Sequence, residues 1–175
     1  MSPEIHGTRP RIGISSCLLG EAVRYDGGHR HAAALTAALA QHFELVSLCP
    51  EREAGLGVPR PPVRLVQWED AIHARGVRDP HLDVTDALRA CAEAKRETIA
   101  GLAGFVFKAR SPSCGVDSTP LVDARGRPLA PTSGLFVQWV RTHFPALPLA
   151  EDEALADATA RADFMARVWA YYRGE

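Results

Sequence analysis

The chain has 175 residues, 46% of them hydrophobic and 23% charged, and a net charge of −1. That composition suits one ordinary globular domain, long enough to bury a core without staples. It offers no basic face for an extended nucleic-acid partner, and no apolar run approaches the roughly 20 residues of a membrane helix.

Residues 1–10 are polar, with Pro3 and Pro10, and are expected to be a flexible start without the apolar stretch of a signal peptide. The expected compartment is the cytoplasm. There, four cysteines are expected to be reduced, catalytic or metal-bound rather than paired as disulfides.

Taken in chain order, Arg11–Ser16 (RIGISS) reads as a short strand ending in small residues. The alanine-rich stretch 31–42, with Leu35 and Leu39 four apart, predicts a helix. Glu44–Leu48 (ELVSL) predicts a second strand, and the proline- and glycine-rich stretch 50–62 a loop. Val63–Gln67 alternates and predicts a strand. Thr85 predicts the cap of a helix running to about Leu102, with Leu88, Cys91, Thr98, Ile99 and Leu102 near one face. Gly104–Lys108 (GFVFK) has the aromatic and β-branched content of a buried strand. Segments 120–123 and 127–130 flank Arg125–Gly126 as a hairpin. Thr132 or Ser133 predicts the cap of a helix to about Phe144. A last helix is expected within 150–175, from about Asp152, where Leu155, Ala162, Met165, Val168, Trp169 and Tyr172 form one stripe.

Short strands alternating with helices predict an α/β fold: a single domain over 1–175, with a mainly parallel sheet flanked by helices in three Rossmann-like layers. In such sheets ligands bind beyond the carboxyl ends of the strands. Cys17, Cys49 and Cys114 all stand just after predicted strands. Cys91 instead lies inside a predicted helix on its apolar face and reads as a small buried hydrophobe. The three strand-end cysteines are spaced C-x31-C-x64-C, with no close C-x-x-C pair. This spacing speaks weakly for zinc or for a ferredoxin-like site, whose ligands come clustered. Three thiolates without a fourth suit a cluster with one exposed iron, a Lewis acid with an open position. The glycine-rich phosphate fingerprint of a dinucleotide fold is missing after the first strand, where Ser15-Ser16-Cys17 stands instead.

The stretches Ile14-Ser-Ser-Cys-Leu-Leu-Gly20, Val23-Arg-Tyr-Asp-Gly27, Cys49-Pro-Glu51 and Lys108-Ala-Arg-Ser-Pro-Ser-Cys-Gly115 together resemble the signature of the 2-thiouracil desulfidases. The likeness runs in the right order from residue 11 to about 143. It implies a small α/β domain carrying a 4Fe–4S cluster on Cys17, Cys49 and Cys114. It also implies a reaction that replaces the sulfur of a thiolated pyrimidine with oxygen from water, helped by Glu51 and Ser111. Cys91 matches no family motif. The alternative is an electron-transfer or sensing module with the same cluster.

Beside the resemblance, each residue has a plainer reading. Glu51 is either the catalytic carboxylate or a solvated loop glutamate paired with Arg52 or Arg60. Ser111 either serves the substrate or is a turn residue before Pro112. Gly115 is expected to let the backbone approach the cluster closely. Arg24, Lys108 and Arg110, with His29 and Arg30, are either a small anion pocket or solvated charge, and Tyr25 either stacks on the pyrimidine or covers the core. The expected partner is a small-molecule thiolated pyrimidine.

Overall fold

Arg11–Ser15 forms β1, the strand about which the rest of the site is organised. The computed structural model describes residues 8–175, so most of the expected flexible start lies outside the described residues. Its last three residues are tied down. Thr8 shares a hydrogen bond with Tyr172, Arg9 donates to Ala40 O, and Pro10 O accepts from Glu44 N.

The remaining elements are α1 (Ala33–Ala40), β2 (Glu44–Leu48), α2 (Pro50–Glu53), β3 (Val63–Trp68), β4 (Ala71–Gly76), α3 (Thr85–Ala94), α4 (Arg96–Ala100), β5 (Gly104–Phe107), β6 (Thr119–Asp123), β7 (Pro128–Thr132), α5 (Leu135–His143), β8 (Leu149–Glu151) and α6 (Ala158–Arg173). Four strands, in the order β2-β1-β5-β8, make an all-parallel sheet. Its central strands, β1 and β5, are buried on both faces, as parallel strands normally are, and the edge strands β2 and β8 are half-buried. Ile12, Ile14 and Val106 point to a core shared with Leu35 and Leu39 of α1 and Phe164 and Val168 of α6. Phe105 and Phe107 point the other way, to Phe136, Val137 and Val140 of α5. The two phenylalanine rings stack 4.0 Å apart, and Gly13 lies directly beneath the Phe105 ring, where no side chain fits. The result is the expected α/β arrangement of a parallel sheet between helical layers.

A second, mixed sheet was not foreseen. Its order is β4-β3-β6-β7, with only β3 and β6 parallel. It packs Leu65, Ala74 and Leu121 against Leu88 of α3. Other corrections are local. The 50–62 loop begins with a helical turn, α2. The helix expected over 85–102 breaks at Lys95 into α3 and α4, and Lys95 forms an ion pair with Glu53. Thr85 caps nothing: its hydroxyl accepts the Ala74 N–H at 2.9 Å. Ser133 likewise bonds Asp117, leaving Gly134 at the start of α5. The final helix begins at Ala158, capped by Asp157, because residues 149–151 form the edge strand β8. Among the described residues, no helix is long and apolar enough to cross a membrane.

Candidate active site

The strand order places β1 between β2 and β5, so the chain leaves β1 on one side to form β2 and returns on the other to form β5. Crevices at such reversals are where open α/β sheets bind ligands. Cys17 lies in a single 3-10 turn, Ser16–Leu19, immediately after β1. Cys49 is the residue between β2 and α2, with Pro50 opening the helix, a position where its missing N–H costs nothing. Cys114 lies in the loop after β5.

That last loop is fixed by α5. The first N–H groups of any helix lack partners within it. Here Leu135 N donates to Pro112 O at 3.0 Å, and Phe136 N and Val137 N donate to Ser113 O at 3.1 and 3.3 Å. Gly134 N also donates to Gly115 O at 2.8 Å. The loop therefore sits on the end of α5 as its cap. At Gly115 the space of the missing side chain is filled by the Thr119 hydroxyl, which donates to Ser111 O at 2.7 Å.

Cys17, Cys49 and Cys114 line one cavity of about 830 Å³, together with Glu51, Ser111, Arg24, Tyr25, Lys108 and Arg110. All the site residues expected from sequence are thus brought to one place. All four cysteines are free thiols. Burial pushes the thiols of Cys17 and Cys49 up, and that of Cys114 well up, from the ordinary value. Cys91 is buried within α3 and does not line the cavity.

Glu51 is paired with Arg60, but it is not solvated. The two side chains are 14% and 5% exposed. Arg60 donates to Oε2 through Nε at 3.0 Å and Nη2 at 2.5 Å, while the Ser113 hydroxyl donates to Oε1 at 3.0 Å. Ser111 acts as the turn residue before Pro112: its hydroxyl oxygen accepts the N–H groups of Ser113 at 3.3 Å and Cys114 at 3.1 Å. It lines the cavity as well.

The expected anion pocket is largely answered by acids from β8 and the segment after it. Lys108 Nζ lies 3.4 Å from Asp152, and Arg110 pairs with Glu153 at 2.6 Å. Asp152 also accepts the Ala109 N–H at 2.8 Å. Arg24 and Arg30 make no ion pair among the described residues, and the Arg24 guanidinium lies 5.8 Å from the Tyr25 ring. Sequence reading weighed Arg60 only as a surface counter-ion and passed over Ser113, Asp152 and Glu153. One signal for Arg60 was available: an arginine held between Pro59 and Pro61 beside the Glu51 turn.

Among the described residues, no three His, Cys, Asp or Glu side chains converge closely enough to hold a single metal ion. A zinc site requires that convergence. A polynuclear iron–sulfur cluster takes each thiolate on a different iron, so its ligands stand further apart. Three free cysteines around one roomy cavity fit the second case. A search of the curated proteins finds no match. Among solved structures, the chain is similar to one described as a 4Fe-4S-dependent thiouracil desulfidase (TudS), with 28% identity, a TM-score of 0.66, and coverage of 85% of this chain and 94% of that chain. A model of the 2-thiouracil desulfurase family matches residues 12–152. With four-fifths of its length matched in this way, the chain belongs to the 2-thiouracil desulfurase family.

Proposed function

We propose that this protein is a desulfidase that converts the C=S group of a thiolated pyrimidine to C=O, using water and releasing sulfide, with a 4Fe–4S cluster held by Cys17, Cys49 and Cys114. The observation that carries this reading is the cavity itself. Its wall brings the three strand-end thiols together with a carboxylate and a hydroxyl. A volume of about 830 Å³ suits a small molecule. An electron-transfer module has no use for such a chamber.

When bound on three thiolates, the cluster supplies a thiophilic iron with an open position that draws electron density from a thiocarbonyl. The chain's own residues do the rest. The Glu51 carboxylate accepts a proton from the attacking water. The Ser111 oxygen accepts two backbone N–H groups, which polarises its hydroxyl; the O–H makes only a long contact of 3.5 Å with Ser113 Oγ and turns from it to donate to the pyrimidine. Tyr25 offers a face for the ring, and Arg24 a cation near it. Lys108 and Arg110 shape the wall as ion pairs and do not carry free charge to an anion. The atoms balance as C=S plus water giving C=O plus hydrogen sulfide, with no electrons exchanged with the substrate. The free cysteines suit a reducing compartment, and we place the enzyme in the cytoplasm.

The test is sulfide release from 2-thiouracil and thiouridine by anaerobically reconstituted protein. Wild type is expected to release sulfide, and Glu51→Ala to keep its iron and lose release. Iron-free wild type after reconstitution, or normal release by Glu51→Ala, would overturn the reading.

A further inference from the structure

The two oxygens of Glu51 are engaged unequally. Oε2 receives two N–H groups of Arg60, and Oε1 receives one hydroxyl, that of Ser113. A carboxylate offers about four lone-pair positions over its two oxygens. These donors fill three of them. The position left over is on Oε1.

Both donors are themselves held rigidly. Arg60 Nη1 donates to Gly57 O at 2.8 Å, and the Arg60 backbone N–H donates to Tyr25 O at 2.8 Å. Its side chain is almost wholly buried, so water does not compete for the pair. Ser113 is 1% exposed, and its carbonyl takes two N–H groups at the start of α5. Arg60 therefore ties Glu51 to the Tyr25 loop, and Ser113 ties it to the loop of Cys114. A carboxylate fixed at both ends has one orientation toward the cavity, and that is the condition for efficient proton transfer.

We infer that Arg60 and Ser113 are positioning residues for the desulfuration, and that together they make Oε1 the oxygen of Glu51 that receives the proton of the attacking water. This assignment rests on Glu51 serving as the base. It differs from a simple charge requirement. A guanidinium is a planar fork that places two donors on one oxygen, whereas an ammonium is a point charge on a flexible stem. Lysine at position 60 restores the charge and loses the geometry.

The experiment compares reconstituted Arg60→Lys, Arg60→Gln, Ser113→Ala and Glu51→Gln with wild type. Steady-state release from 2-thiouracil, iron per chain and thermal unfolding are measured on each. Loss of alignment is expected to lower kcat by about 10- to 100-fold in Arg60→Lys and Ser113→Ala. KM and iron content are expected to stay within about twofold of wild type, a split that general damage to the fold does not produce. A structure of the Arg60→Gln apo-protein is expected to show the Glu51 carboxylate rotated off Ser113. If Arg60→Gln fails to fold, Ser113→Ala, which removes a single oxygen, decides the matter. Wild-type kcat in loaded Ser113→Ala and Arg60→Lys overturns the inference, as does a loss confined to KM. Wild-type release by Glu51→Gln overturns instead the assignment of Glu51 as base. An inactive Glu51→Gln beside fully active Arg60→Lys and Ser113→Ala refutes the positioning roles alone.

Discussion

Gly134→Ala is the substitution that most directly tests how the fold holds the site. Gly134 has ordinary helical-entry backbone angles (φ −59°, ψ 156°), so nothing in its conformation demands glycine. The demand is for space. An ideal Cβ there falls 2.6 Å from Cys114 N, and closer still to the carbonyl carbon and oxygen of Ser113. Ordinary contact is about 3.5 Å, so helix and loop must part by roughly 1 Å. Both neighbours are backbone and cannot swing aside as a side chain would. Parting them stretches the hydrogen bonds from Leu135, Phe136 and Val137 that dock the Cys114 loop. Overpacking costs about 1–3 kcal/mol, and weakening one or two of those bonds adds about 1 kcal/mol, for a total of about 2–4 kcal/mol. For a chain of this size that lowers Tm by on the order of 10 °C. Because the moving loop carries Cys114, iron per chain after anaerobic reconstitution is expected to fall as well. Gly13→Ala is the comparison. Its Cβ meets the Phe105 ring, deep in the core, so it is expected to lower Tm while leaving iron content unchanged below the melt. Gly134→Ala melting within about 1 °C of wild type, with full iron, refutes the docking argument.

Two further predictions separate the cysteines. Cys17→Ser, Cys49→Ser and Cys114→Ser are each expected to abolish iron binding, and Cys91→Ser to retain it; elemental analysis of reconstituted protein reads this, and equal loss in all four refutes the division. Burial pushes the Cys91 thiol up to about 11. Its folded value thus lies above the roughly 8.5 of an unfolded thiol. The stability it confers is fully present below that value and is lost as pH rises toward about 11. The amount is up to about 3 kcal/mol. The stability gap between wild type and Cys91→Ala, measured by urea unfolding of the apo-proteins, is therefore expected to narrow between pH 7.5 and 10.5. A constant gap contradicts the burial argument.

The elements that carry the cysteines were legible because strands buried on both faces read as short apolar runs. RIGIS and GFVF are of that kind, ELVSL is an apolar run on the half-buried edge strand β2, and each is followed by a ligand candidate. The second sheet was obscured for the opposite reason. Strand β4 turns Ala74 and Gly76 inward, alternating with the polar His73 and Arg75. Small residues on the core face leave no hydrophobic alternation to detect. Strand β8 is three residues long, below what any pattern resolves.

The start of the last helix shows what a single chain position conceals. Asp152 and Asp157 are both suited to cap a helix. The structure gives the cap to Asp157, whose carboxylate accepts the Ala160 N–H at 2.8 Å. Asp152 is taken by Ala109 N and Lys108, 43 and 44 residues earlier. The same distant pairing explains why the cations beside the motifs read as free. Lys108 and Arg110 find their acids after β8, and Arg60 finds Glu51 across a proline-rich turn. No local pattern reports the pairings of Lys108 and Arg110, because they are made where the ends of the parallel strands β5 and β8 meet. Their consequence is chemical. Three of the five arginine and lysine side chains that line the cavity are already matched by carboxylates, so under the proposed function the charge left to attract a substrate is that of Arg24, beside Tyr25, and Arg30.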